Sequence, residues 1–116
     1  MLTLLLVFFL VVMLAGAGLA VLERRGRMPP LKISSAHGVL GAAAILLVVM
    51  QAVDHPGNRL VNSAILVFVL TALGGLLLFA FRASRQRLPL GVVLLHGVFA
   101  LTGFALLLGG WLRGGG

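Results

Sequence analysis

"PLKISSAHGV" occupies Pro30–Val39, and "PLGVVLLHGV" occupies Pro89–Val98. Pro-Leu and His-Gly-Val therefore recur together at a single offset of 59 residues. The same shift, with no gap, brings Phe9 onto Phe68, Leu14 onto Leu73, Gly16 onto Gly75 and Leu19 onto Leu78. Downstream it brings Leu47 onto Leu106. Leucine matches carry little weight in so leucine-rich a chain, but the paired Pro-Leu and His-Gly-Val motifs carry more. They divide a single transmembrane domain into two tandem helical hairpins, residues 1–58 and 59–116.

Composition sets the environment of those hairpins. The 116 residues are 61% hydrophobic and only 9% charged, with a mean hydropathy of +1.22. A water-soluble domain of this size needs far more polar surface. Four apolar runs approach the ~20 residues needed to cross the hydrocarbon core: Leu2–Leu22, Ile33–Val53, Leu60–Phe81 and Leu88–Leu112. Their apolarity is continuous, not alternating, which argues against a β-barrel. In lipid each segment must satisfy its own backbone, which leaves helices. "ERRGRMPPLK", "DHPGN" and "RASRQR" separate the runs. Such short connections predict an all-α, up-down-up-down four-helix bundle.

The absence of cysteine excludes disulfide and thiol chemistry. The net charge of +7 would point to nucleic acid in a soluble protein. Here the basic residues sit in loops, so it reads as a topology signal and no nucleic acid is expected. The first and third loops hold Arg24, Arg25, Arg27, Lys32, Arg82, Arg85 and Arg87, against Arg59 and Arg113 on the other side. The expected orientation puts those two loops in the cytoplasm and both termini outside, in a bacterial inner membrane, with Trp111 at the outer interface. The first run has no basic residue before it and three arginines soon after it. That is the reverse of a secretory signal, so a retained helix is expected.

Two hairpins of equal topology in tandem are parallel repeats, with a pseudo-twofold axis along the membrane normal. His37 and His96 then lie at matched depth, near the loop end of the second and fourth helices. A histidine within a span is costly without a partner. Adjacent helices 8–10 Å apart give a bundle diagonal of roughly 11–14 Å, about what two inward imidazoles and a shared metal require. Axial bis-histidine ligation of heme b fits that pattern. The metal ligands are then His37 and His96. Gly16, Gly38, Gly41, Gly75, Gly97 and Gly103 are expected to clear space for the porphyrin. The second ring nitrogens are expected to donate to a carbonyl one turn earlier, or to Ser34. Arg24, Lys32, Arg82 and Arg85 are the expected partners of the propionates.

On these residues the chain resembles the four-helix membrane cytochromes b, of the b561-like kind. The resemblance rests on His37-Gly38 and His96-Gly97 within a four-span bundle. It implies an electron carrier rather than a catalytic enzyme, with a quinone or a neighbouring redox subunit as partner. Larger proteins of this type usually carry two hemes and four ligands, whereas this chain has three histidines. His55 falls in a loop and its repeat position is Gly114. A second site would need a methionine such as Met13 or Met50 together with another chain.

Other readings stand beside this one. The histidine pair can serve interhelical hydrogen bonding, and the glycines can serve close helix packing alone. A small channel or exporter is a second functional class. However, proton-coupled export needs a carboxylate in a span, and Glu23 and Asp54 lie outside the four runs. Glu23 is expected to meet Arg27 or headgroups. An accessory subunit of a respiratory or photosynthetic complex, or an oligomer, is a third possibility.

Overall fold

A computed structural model describes residues 1–114. Four helices follow the four apolar runs: α1 Leu2–Arg24, α2 Leu31–Asp54, α3 Arg59–Ala83 and α4 Leu90–Leu112. All four are long and apolar enough to cross a membrane. The bundle measures 43 × 22 × 19 Å, and its long dimension matches a bilayer of about 40–45 Å including headgroups.

Local chemistry sets the helix ends. Pro30 and Pro89 precede the first residues of α2 and α4 with φ of −59° and −63°, the fixed proline value that leads into a helix. α1 and α3 close alike. Gly26 and Arg85 take the left-handed conformation, with φ of 74° and 56°. The amides behind them reach back, Arg27 to the Leu22 carbonyl and Gln86 to that of Phe81, each at 2.9 Å. This is the Schellman closure, which satisfies carbonyls that a helix end leaves free. The two closures are 59 residues apart, as the repeat requires. α3 starts from Asn58, whose Oδ1 accepts the Val61 amide at 3.2 Å.

Each helix packs on two neighbours, so α1 faces α3 and α2 faces α4 across the diagonals. Two long-range contacts at the end bearing the α1–α2 and α3–α4 loops reveal the pseudo-twofold relation. Arg82 Nε donates to the Pro29 carbonyl, and the Leu88 amide donates to Glu23 Oε1 at 3.2 Å. The repeat offset takes Glu23 to Arg82 and Pro29 to Leu88, so one contact is the rotated image of the other. Its polarity is reversed, because the guanidinium of Arg82 only donates and the carboxylate of Glu23 only accepts. Glu23 also accepts from Arg87 Nε at 3.3 Å. Among the described residues its partners are thus Arg87 and Leu88, not Arg27.

The core is confined to one half of the bundle. Buried helical residues run from Leu2 to Val12 in α1, Ala44 to Gln51 in α2, Val61 to Thr71 in α3 and Gly103 to Gly110 in α4. No residue in 13–24, 31–43, 72–83 or 90–102 is buried. The half toward the chain termini therefore holds the buried core, and the half toward the α1–α2 and α3–α4 loops holds the buried Pro29 and partly exposed helical residues. Phe68 presses on Gly103 so closely that a Cβ there would lie 2.7 Å from its ring. At the terminal end Asn58 Nδ2 donates to the Gly110 carbonyl at 3.1 Å, and Trp111 Nε1 donates to Thr3 Oγ1 at 2.9 Å. The outer faces carry bare leucines, a surface suited to lipid and not to water.

Candidate functional site

His37 and His96 each occupy the seventh position of their helix, two turns in from a proline. This places them just beyond the buried core, on its loop side. Across the α2/α4 diagonal their ring centroids are 6.3 Å apart, with planes at 80°.

Each ring rests on the glycine of its own hairpin. A Cβ on Gly16 would lie 2.8 Å from His37 Cε1, and one on Gly75 would lie 3.0 Å from His96 Cε1. The sequence reading expects these glycines to clear space for a porphyrin; in the structure their absent side chains make room for the imidazoles. Of the other four, Gly38 and Gly97 have open space where a Cβ would be, Gly41 faces Val12, and Gly103 faces the ring of Phe68. None of those four touches a histidine ring.

His96 Nδ1 donates to the Thr71 carbonyl at 2.8 Å. A carbonyl only accepts, so the proton is on Nδ1 and the lone pair of the neutral ring is on Nε2. The partner belongs to α3, not to the preceding turn of α4 as the sequence suggested. The Thr71 hydroxyl donates elsewhere, to the Val67 carbonyl at 2.8 Å, and its main-chain carbonyl has two lone pairs, so it can accept from His96 besides its helical bond. The backbone of Val12, the repeat position of Thr71, is the hydrogen-bonding neighbour of His37, although the buried Nδ1 of that ring makes no hydrogen bond of normal geometry, to Ser34 or to any other group.

The basic residues do not converge as a set. Arg82 is committed to the Pro29 carbonyl, Arg85 is the exposed left-handed residue closing α3, and Lys32 is exposed on the first turn of α2. Arg24 lines a groove of about 240 Å³ between α1 and α4, with Ala20, Glu23, Arg87, Leu88, Leu90 and Val93. At the far end, His55 Nδ1 pairs with Gln51 Nε2 at 3.2 Å, and Met50 is exposed.

The donor set bears on what could bind. Among the described residues no three potential metal ligands cluster. Two imidazoles alone cannot complete the tetrahedral shell of zinc. They suffice for an iron whose other four ligands come from a porphyrin. Metal–nitrogen bonds of about 2 Å would put the ring centres of two such ligands about 6 Å apart, and the observed spacing is 6.3 Å, while the ring edges themselves rest on Gly16 and Gly75. The Thr71 carbonyl had no signature in the sequence, because any residue carries a carbonyl. Only its place one turn before Gly75 hinted at it.

Comparison of the chain with models of known protein families, with curated proteins and with solved structures returns no match.

Proposed function

We propose that this chain is a membrane electron-transfer protein that binds one heme b through His37 and His96. The observation that carries the reading is the approach of two imidazoles, 6.3 Å between centroids, from diagonally opposed helices. Bound there, the group would supply one-electron redox chemistry, with His37 and His96 holding it. The protein's own part is to orient and to insulate. Gly16 and Gly75 admit the rings, Thr71 fixes the tautomer of His96, and the apolar helices exclude water. Arg24 lines the groove between α1 and α4 and is suited to a propionate.

The reading extends to placement. Seven of the nine Lys and Arg residues lie in the α1–α2 and α3–α4 loops or in the helix turns that flank them. On that bias we assign those loops to the cytoplasm and the termini to the outer side of a bacterial inner membrane. The electron partner is then a quinone in the bilayer or a neighbouring redox subunit.

The test is spectroscopic. Protein purified from heme-replete cells should show a Soret band and low-spin b-type bands on reduction. His37→Ala and His96→Ala should each abolish the six-coordinate spectrum. A colourless preparation that conducts ions in liposomes would overturn the proposal in favour of a channel.

A further inference from the structure

The groove of about 240 Å³ between α1 and α4 breaks the symmetry of the repeat. It lies at the last turn of α1 and the first turn of α4, the level at which a spanning helix meets the headgroups. A shift of 59 residues carries its lining to the seam between α3 and α2. Ala20 then becomes Phe79, Arg24 becomes Ala83 and Arg87 becomes Met28. Glu23 becomes Arg82, which is committed to the Pro29 carbonyl. One seam thus has a small residue and two arginines at the positions where the other has a phenylalanine and two uncharged side chains. α1 and α4 are also the least closely joined neighbours in the bundle.

The charges of the groove are arranged for an anion of low charge. Glu23 Oε1 is turned to the protein, where it accepts from the Leu88 amide at 3.2 Å and from Arg87 Nε at 3.3 Å. Arg87 is thereby held at the rim, 76% exposed, with its Nη1 uncommitted. Arg24 makes no hydrogen bond or ion pair among the described residues. Two guanidinium groups against one carboxylate leave one positive charge in excess. A phosphodiester carries one negative charge and offers two oxygens to the guanidinium fork. Beside the basic rim, Leu90 and Leu94 of α4 are exposed and stand on one helix face, four residues apart.

We propose that this groove binds one anionic phospholipid, its phosphodiester held by Arg24 and Arg87 and its acyl chains laid along Leu90 and Leu94. Basic pockets between spanning helices are a recurring form of such a site. The proposal does not rest on the heme reading. It competes with it only for Arg24 as a propionate partner and leaves the His37–His96 pair untouched.

Native mass spectrometry of the intact protein in detergent tests it, with phosphatidylglycerol and phosphatidylcholine of matched chains offered together. One phosphatidylglycerol should be retained in preference to phosphatidylcholine. Arg24→Ala and Arg87→Ala should each lower that retention about fivefold, and Ala20→Phe, which copies the second seam, should remove it. Arg25→Ala takes the same charge from an exposed residue outside the groove and should leave retention unchanged. Equal losses for Arg24→Ala and Arg25→Ala would overturn the site in favour of diffuse surface charge. Equal retention of the two lipids would overturn it outright, and displacement of the lipid by inorganic phosphate at equal concentration would overturn the choice of a lipid. A second measurement guards against misfolded variants: phosphatidylglycerol should raise the melting temperature of the wild type but not of Arg24→Ala, and an equal rise in both would count against the proposal. Heme absorbance of the same samples reports the His37–His96 reading separately.

Discussion

Phe9 and Phe68 stack face to face across the bundle, with centroids 4.2 Å apart and planes within 8° of parallel. They are repeat mates, as are His37 and His96. The two pairs form successive layers along the pseudo-twofold axis. The aromatic layer closes the packed half, and the imidazole layer opens onto the other half. Phe68→Ala should therefore destabilise the protein by about 3–5 kcal/mol, the usual loss for a buried phenylalanine. Gly103→Ala should cost about 1–3 kcal/mol by overpacking against the same ring. The second cost should shrink when Phe68 is also replaced by leucine. Reversible unfolding in mixed micelles measures all three.

The glycines should divide into two groups under substitution by alanine. Gly16→Ala and Gly75→Ala push a methyl group into an imidazole and should lower heme retention. Gly38→Ala and Gly97→Ala meet nothing within 4 Å and should raise stability by about 0.5–1 kcal/mol through helix propensity. Absorbance per protein and thermal unfolding read the two effects separately. Equal heme loss in all four variants would return the glycines to the role of porphyrin clearance.

Glu23 and Arg87 form an ion pair whose arginine is 76% exposed. Arg87→Ala should change stability by less than about 1 kcal/mol, as exposed pairs generally do. Glu23→Ala should cost more, about 1–2 kcal/mol, because it also leaves the part-buried Leu88 amide without its acceptor. Unfolding of the two variants side by side is the check.

Arg85 holds a left-handed conformation that its repeat mate, Gly26, adopts without a side chain. Arg85→Gly should stabilise the protein by up to about 1 kcal/mol, and Gly26→Ala should destabilise it by a similar amount. A shift in midpoint of opposite sign for the two variants is the expected result.

Much of this molecule was legible before any coordinates. Continuous apolarity over four spans dictated helices, because a backbone in lipid must bond within its own segment. Short polar connections dictated antiparallel neighbours. The recurrence of Pro-Leu and His-Gly-Val at one offset placed the histidines on matching turns of α2 and α4. Helix boundaries moved by about two residues, as at Leu31 and Leu90, because proline geometry rather than apolarity sets them.

Side-chain partners were not legible in the same way. That Gly16 and Gly75 receive imidazole edges, that Thr71 offers a carbonyl to His96, and that Glu23 reaches Leu88 all depend on how the helices turn about their own axes. The hydrophobic pattern is nearly uniform around each helix, so it could not fix those rotations. Close contacts between particular atoms fix them, Phe68 on Gly103 above all. Apolarity and chain order are properties of the string of residues and survive any rotation of a helix. A contact between two side chains exists only once every helix has settled against its neighbours.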